Sequence, residues 1–262
     1  MRRFTADYLE ATRSGMWEDS RDALADLELD SVEWVIDVGA GTGKLTRVLR
    51  EETPGEVLAL DADRALLERA GDPRIVADAT RLPVRNDSVD LVVCQALLVN
   101  LTDPVAAIEE WARASSDLVA VIEPDNSAVT VDSTVETESA LAARARRRYL
   151  AGVSTDPTVG DARSLFEQAG LAETTVRRYD HRRVIDPPYS EQALEAARRK
   201  ATGSGIESDR TEILNGETTP EAFDDLKQEW RAMGRDVIEQ MQDRSYHREE
   251  VIPFYVTVGR VV

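Results

Sequence analysis

The sequence predicts an α/β fold with an open, doubly wound sheet, and three observations support this. A β-branched, apolar run begins at Val32 and stops at three glycines, Gly39, Gly41 and Gly43. A helical pattern of apolar residues follows directly. Further strand-like runs then alternate with helical stretches as far as Pro124. Parallel strands joined by helical crossovers produce this alternation, and the glycine turn belongs to the first strand–helix unit.

The remaining elements of the first half follow at short intervals. After the glycine turn, the pattern predicts a helix over about 42–52, ended by Thr53-Pro54-Gly55. Further strands are predicted at 57–61, 74–77, 89–94 and 118–123. In open α/β sheets, ligands bind outside the carboxyl ends of the parallel strands. The residues at these strand ends are therefore the candidate site residues.

The second half of the chain has longer, more polar helices. Strands are predicted at 172–185 and 251–262, and helical insertions at about 125–160 and 186–250. Ser133 and Glu136 have the spacing of a capping box, which predicts the start of a helix that ends near Leu150. Residues 1–31 predict one or two helices. The expected organisation is an N-terminal helical segment and one domain, 32–262, that carries both insertions.

The chain is strongly acidic. Its 262 residues include 50 aspartates and glutamates against 32 lysines and arginines, a net charge of -18, and only three of the basic residues are lysines. A lysine-poor, acid-rich surface is typical of proteins from a salt-rich cytoplasm, as in halophilic organisms. A cationic partner is the alternative. This charge disfavours a polyanionic nucleic acid as partner.

No segment predicts export or membrane insertion. The N-terminus lacks an apolar signal core, and no apolar run approaches spanning length. Cys94 is the single cysteine, so an intrachain disulfide is impossible. The two histidines, His181 and His247, lack the spacing of metal ligands or of a catalytic triad, so no metal is expected. The sequence predicts a soluble, cytoplasmic protein.

Three known glycine-rich motifs could explain the turn. A triphosphate-binding loop would need a glycine where Val38 stands and a serine or threonine where Leu45 stands. A dinucleotide-binding fingerprint would need a third glycine where Lys44 stands. The pattern D-x-G-x-G-x-G is satisfied throughout, from Asp37 to Gly43.

With this pattern, residues 32 to 124 resemble the class I S-adenosylmethionine (SAM)-dependent methyltransferases, in the small-molecule branch that includes ubiquinone/menaquinone methyltransferases. In that family the glycine turn packs against the methionine part of SAM. An acid ending the second strand holds the ribose hydroxyls, and Asp61 has that position here. An acid after the third strand contacts the adenine amine, which corresponds to Asp78, with the Ala79 backbone beside it. The fourth strand runs into Cys94-Gln95-Ala96-Leu97. The cofactor-binding residues that the resemblance implies are Asp37, Gly39, Ala40, Gly41, Gly43, Asp61, Ala62, Asp78, Ala79 and Gln95.

The resemblance implies a Rossmann-like, doubly wound sheet of seven strands, mostly parallel, with the last strand antiparallel. It also implies methyl transfer from SAM to a small-molecule acceptor by in-line attack on the sulfonium methyl. No catalytic residue is predicted. The insertions at 125–160 and 186–250 are expected to form, with the N-terminal helices, a helical lid that selects the acceptor and excludes water.

Alternatives remain for both the function and the residues. An NAD(P)-dependent oxidoreductase would share the glycine turn and Asp61, and a non-catalytic SAM-binding regulatory protein would share every SAM feature. Asp61 is alternatively the N-cap of the next helix, Asp78 an ordinary loop aspartate, and Asp37 a residue that orders the glycine turn. Three residues of the N-terminal segment either close over the cofactor or only pack: Arg13, Met16 and Trp17.

Overall fold

The computed structural model describes residues 6, 9, 13, 15–18, 20–153, 155 and 160–262. The strands within these residues are β1 (Trp34–Val38), β2 (Glu56–Asp61), β3 (Arg74–Val76), β4 (Val89–Gln95), β5 (Ser115–Pro124), β6 (Thr130–Ser133), β7 (Ala172–Ile185) and β8 (Arg248–Arg260). Of the predicted N-terminal helical segment, residues 1–31, 12 residues lie outside the described residues. Within them, Arg21–Leu27 forms a 3-10 helix.

The strands confirm the predicted sheet, with one addition. Hydrogen-bonded neighbours follow the order β3-β2-β1-β4-β5-β8-β6, and β7 pairs with β8. The first five strands pair in parallel, and β8 is antiparallel to β5, as predicted for the last strand. The described chain has eight strands rather than seven, because Thr130–Ser133, within the predicted first helical insertion, pairs with β8.

Helices connect the strands. They are α1 (Lys44–Glu52), α2 (Arg64–Leu67), α3 (Pro104–Ala114), α4 (Glu138–Ala151), α5 (Arg163–Gln168), α6 (Glu191–Thr202), α7 (Ser204–Ser208), α8 (Arg210–Asn215) and α9 (Pro220–Gln242). Of the helices that the structure describes, none is both long enough and apolar enough to cross a membrane.

The central strands are mostly apolar because both faces of the sheet are covered. Val35, Ile36 and Val38 of β1 are at most 1% exposed. Trp111 of α3 is fully buried against this sheet, and its indole N–H donates to the carbonyl oxygen of Ala79 at 2.8 Å. The core therefore anchors the loop after β3 at the same edge as the glycine turn.

The chain divides into two compact units. Unit 1 consists of Met1–Asp125, Thr158–Tyr179 and Pro253–Val262, and unit 2 of Asn126–Pro157 and Asp180–Ile252. Unit 1 contains the parallel strands and their core. Unit 2 has its own core, in which α9 packs with α4, α6 and the shorter helices. Whether the insertions act as a lid stays a prediction.

The capping box that we expected at Ser133 is absent, and that prediction was wrong. Ser133 ends β6, and α4 begins only at Glu138. The Ser133 hydroxyl donates to the Glu138 carboxylate at 2.7 Å and accepts from the Val135 N–H at 3.1 Å. Glu138 is 1% exposed and also binds the Lys200 ammonium group. This buried ion pair joins residues far apart in sequence, so local spacing could not predict it.

Candidate cofactor site at the carboxyl edge of the sheet

The glycine turn is attached to the neighbouring strand by its own backbone. The N–H groups of Gly39 and Ala40 both donate to the carbonyl oxygen of Leu60 in β2, at 2.7 and 2.9 Å. Gly43 precedes α1 with a φ of 77°. A Cβ at this position would lie 2.6 Å from the Cα of Ala70. The turn therefore needs glycine both for its conformation and for a close backbone approach.

Asp61, the last residue of β2, holds the glycine turn from the other side. Its carboxylate accepts a hydrogen bond from the Gly41 N–H at 2.8 Å and another from the Asp63 N–H at 2.8 Å. Asp61 is not the N-cap of α2. That role belongs to Asp63, which accepts from the N–H groups of Ala65 and Leu66 at 2.9 and 3.3 Å.

A cavity of about 580 Å³ opens beside this turn, at the carboxyl ends of the parallel strands. Its size lies within the range of small-molecule sites. The residues that line it are Leu9, Arg13, Gly39, Gly41, Leu60, Asp61, Ala62, Asp63, Arg64, Leu66, Ala77, Ala79, Ala96, Leu97 and Asn100. The cavity wall therefore combines aliphatic side chains with two arginines, Arg13 and Arg64, and with the carboxylate of Asp61.

The predicted site residues divide into two groups. Those that line the cavity are Gly39, Gly41, Asp61, Ala62 and Ala79. Those that do not are Asp37, Ala40, Gly43, Asp78 and Gln95. Ala40 and Gly43 shape the turn through the contacts described above. The assignment of each residue to the cofactor stays a prediction.

Asp37 lies inside the sheet rather than at the cavity wall. It is 1% exposed, and its carboxylate accepts a hydrogen bond from the Thr46 hydroxyl of α1 at 2.6 Å. Burial raises the pKa of Asp37 to about 6, although the Thr46 hydrogen bond opposes this rise. Asp37 therefore attaches the first helix to the first strand and supports the turn between them.

Asp78 is exposed and bonded locally. Its carboxylate accepts hydrogen bonds from the backbone N–H and the hydroxyl of Thr80, both at 2.8 Å. These bonds hold the pKa of Asp78 below its ordinary value. The next residue, Ala79, lines the cavity and is fixed through its carbonyl by Trp111.

Sequence reasoning missed the wall that follows β4. Ala96 has a positive φ of 51°, which turns the chain so that Ala96, Leu97 and Asn100 line the cavity. The Asn100 side-chain amide donates to the Ala96 carbonyl at 3.0 Å and closes this turn. Arg64 was also missed, since nothing in its sequence context distinguishes it from a surface arginine. The one available signal was position, because each missed residue follows a strand end.

Glu123, near the end of β5, stabilises this wall through hydrogen bonds to its backbone. It is fully buried, and one carboxylate oxygen accepts from the N–H groups of Leu97 and Leu98, each at 2.8 Å. Burial raises the pKa of Glu123 to about 7, although these hydrogen bonds lower it in part. The carboxyl group therefore stays protonated in the folded protein at pH values where an exposed glutamate has ionised.

Glu123→Gln should change how stability depends on pH. Because the folded pKa is raised from 4.5 to about 7, the folded state binds more protons than the unfolded state in this window. The contribution of Glu123 to stability is therefore present below pH 4.5 and lost as pH rises through 7. Glutamine cannot ionise, so the wild type should lose stability relative to the variant between pH 4.5 and 7. Urea unfolding of both proteins at several pH values measures this, and a constant difference would contradict the assignment.

No metal site is evident in the described part of the chain. No group of three or more His, Cys, Asp or Glu side chains there is arranged to hold a metal ion. Cys94 is buried, and burial keeps its pKa well above the ordinary value of a thiol. It is therefore a packed side chain rather than a nucleophile.

Comparisons with known proteins agree with this geometry. Residues 36–117 match a family model described as a methyltransferase domain. Over 90 residues, the chain is 33% identical to the ubiquinone/menaquinone biosynthesis C-methyltransferase UbiE of Burkholderia vietnamiensis. This alignment covers 30% of the chain and 37% of that relative, so the chain matches little more than a third of its length.

Solved structures show the same fold. A candidate methyltransferase of Bacillus halodurans has a TM-score of 0.55 at 13% identity, with 93% of this chain and 98% of that chain covered. A candidate methyltransferase of Haloferax volcanii, in complex with the Trm112 methyltransferase activator, has a TM-score of 0.51 at 18% identity, with 100% and 99% covered. Residues 36–117 therefore match a methyltransferase domain, and the chain shares its fold with these solved structures.

Proposed function

We propose that this protein binds SAM in the cavity at the carboxyl edge of the sheet and transfers its methyl group to a small-molecule acceptor. The observation that carries the proposal is the position of Asp61. Its carboxylate lies on the cavity wall and is held against the glycine turn by the Gly41 N–H. This placement suits a pair of ribose hydroxyls, because a carboxylate accepts charge-assisted hydrogen bonds from both.

The cavity walls suit the rest of SAM. Leu60, Leu66 and Ala79 give an apolar surface for a flat adenine ring, and Arg13 provides a cation for the carboxylate of the methionine part. When bound, SAM supplies a methyl group already activated by its sulfonium sulfur. The protein then has mainly to orient the two reactants and exclude water, which lowers the entropic part of the barrier.

The proposal of a helical lid is based on two long segments of the chain. The two segments of unit 2 follow β5 and part of β7, and both are far longer than ordinary connections between elements. We propose that these segments select the acceptor.

A screen with isotopically labelled SAM tests the proposed activity. The protein is incubated with methyl-labelled SAM and pools of small metabolites, and each pool is analysed for labelled product. We expect label in one acceptor class. With the Asp61→Ala variant, at a SAM concentration well below the dissociation constants of both proteins, labelling should be roughly 10- to 150-fold slower. SAM binding without transfer to any pool would favour the non-catalytic regulatory alternative.

We also propose that the acidic surface is an adaptation to a salt-rich cytoplasm. An excess of 18 negative charges repels itself in dilute buffer, and salt screens this repulsion. The melting temperature should therefore rise when KCl is increased from 0.1 M to 2 M. A melting temperature that falls over this range would contradict the proposal and favour a cationic partner.

A further inference from the structure

Glu123 is a titratable group that lies directly behind the wall of the cavity. It is fully buried, and its carboxylate accepts hydrogen bonds from the N–H groups of Leu97 and Leu98, each at 2.8 Å. Leu97 lines the cavity together with Gly39, and a Cβ on Gly39 would lie 3.0 Å from the methyl groups of Leu97. Only the backbone of a wall residue therefore stands between this carboxyl group and a bound ligand.

A positive charge on the cavity wall already acts on Glu123. Arg13 lines the cavity. Burial raises the pKa of Glu123 and of Asp37, and the charge of Arg13 is among the effects that oppose this rise in both residues. Charges interact more strongly in a protein interior than in water, because the effective dielectric constant is lower there. A second cation in the cavity would therefore favour the ionised form of Glu123 as well.

The other titratable groups around Glu123 supply no positive charge. The sulfur of Cys94 in β4 lies 3.9 Å from a carboxylate oxygen of Glu123, and burial keeps the pKa of this thiol well above its ordinary value. Tyr255 of β8 is the antiparallel partner of Glu123 in register. Asp37 is an acid behind the glycine turn. Of the described side chains, Arg13 is therefore the cation with the largest effect on Glu123.

SAM would bring a second cation to this part of the cavity. Its sulfonium sulfur is bonded both to the ribose and to the methionine chain. With the ribose at Asp61 and the methionine carboxylate at Arg13, as proposed above, the sulfur would lie between these two residues of the cavity wall. S-adenosylhomocysteine, the product that remains after methyl transfer, has the same groups but a neutral sulfur. The two ligands therefore differ by one positive charge beside the wall that Glu123 stabilises.

The ionisation of Glu123 lies in the range where such a charge matters. Burial raises the pKa of Glu123 to about 7, so the folded protein contains both the protonated and the ionised form near neutral pH. A carboxylate attracts a nearby cation, whereas a neutral carboxylic acid does so much less. A ligand that binds more tightly to the ionised form therefore gains affinity as pH rises through this range.

We propose that Glu123 makes the site select cationic SAM over neutral S-adenosylhomocysteine, and that it acts through the cavity wall rather than by contact. The assignment rests on the proposed function, because it requires SAM in the cavity. During methyl transfer the acceptor forms a bond to the methyl carbon, and the electron pair of the broken S–C bond stays on sulfur. The sulfur becomes neutral, so the product loses the attraction of Glu123 and dissociates more readily than SAM.

The pH dependence of two affinities tests the proposal. SAM and S-adenosylhomocysteine are titrated separately by calorimetry into the wild type and Glu123→Gln at pH 5.5, 7 and 8.5. Glutamine has nearly the same shape and stays neutral throughout. For each protein, the affinity for SAM is divided by that for S-adenosylhomocysteine. From pH 5.5 to 8.5 this ratio should rise about tenfold more in the wild type, the effect of one charge at about 10 Å and an effective dielectric constant of about 20.

The comparison of ratios removes the other sources of pH dependence. Ionisation of the ligands themselves, and of Asp37, affects both proteins alike. Glu110→Gln is the matched control variant, since the Glu110 carboxylate also accepts a backbone hydrogen bond, from Leu82 at 2.7 Å, but neither residue lines the cavity. Its ratio should follow that of the wild type. An equal rise in the wild type and Glu123→Gln would overturn the proposal, and so would a Glu110→Gln variant that behaves like Glu123→Gln.

A measurement on the wild type alone covers the case in which Glu123→Gln does not fold. Carbon-13 NMR of the glutamate carboxyl groups follows the one that titrates near pH 7. Its pKa should be about one pH unit lower with SAM bound than with S-adenosylhomocysteine bound. The same pKa in both complexes would overturn the proposal. A wild type that binds neither ligand would instead refute the proposed function.

Discussion

Replacing Gly43 by alanine is expected to reduce the free energy of unfolding by about 2–4 kcal/mol. Two effects add at this position. A φ of 77° is unfavourable for any residue with a Cβ, and the new methyl group would lie 2.6 Å from the Cα of Ala70. Because Ala70 contributes backbone at this contact, a rotamer change cannot relieve it. Urea unfolding of the variant and the wild type measures the loss.

Gly170→Ala separates the two effects. Gly170 has almost the same backbone conformation, with a φ of 78°, but nothing lies within 4 Å of the position that an alanine Cβ would occupy. Its replacement should therefore reduce the free energy of unfolding only by the conformational strain, about 1 kcal/mol. Equal losses in the two variants would show that the close approach at Gly43 contributes nothing to the turn.

Asp61→Ala should weaken SAM binding by about 1.5–3 kcal/mol, which is roughly a 10- to 150-fold rise in the dissociation constant. The carboxylate is the expected partner of the ribose, and it also holds the Gly41 N–H at 2.8 Å. Its removal therefore affects the ligand directly and loosens the turn that packs against it. Calorimetric titration of the variant with SAM measures the effect.

Asp90→Ala is the control for the structural part of this loss. The Asp90 carboxylate also accepts two backbone hydrogen bonds, from Glu33 and Trp34 at 2.8 and 2.9 Å, but it is absent from the cavity wall. This variant should lose stability and keep its SAM affinity. If both variants lost SAM affinity equally, general destabilisation would explain the result. Asp61 would then no longer be a proposed cofactor-binding residue.

The features that the sequence predicted well depend on local pattern. The apolar run before Gly39 and the helical pattern after Lys44 locate β1, the turn and α1, because a buried parallel strand is mostly apolar. Asp61 could be placed on the cavity because it ends a strand, and strand ends share one edge. The antiparallel direction of β8 was implied by the family resemblance rather than by any local pattern, and the structure confirms it.

The features that sequence reasoning missed depend on contacts between distant residues. Glu138 is buried with Lys200, 62 positions away, and the helix begins at Glu138 rather than after Ser133. Gln95 meets Met16 across 79 positions. Spacing between near neighbours in the sequence contains no information about such pairs.

The sequence also did not predict the direction in which a side chain points. Asp61 and Asp63 are two residues apart, and either could have capped α2, yet only Asp63 does so. One carboxylate oxygen of Asp78 accepts from the hydroxyl of Thr80, a bond that the sequence did not predict, and the contact of Asp78 with the cofactor stays a prediction. A strand-end position therefore predicts which edge a residue occupies, and it does not predict which partner its side chain finds.

Calorimetric titration of the wild-type protein with SAM and, separately, with NAD distinguishes the two cofactors that this strand, turn and helix could hold. Both ligands carry an adenosine whose ribose suits a carboxylate at the end of the second strand. We expect binding of SAM with one site per chain and no heat of binding for NAD. Binding of NAD without binding of SAM would contradict the proposed cofactor, because the cavity beside Asp61 would then suit an oxidoreductase.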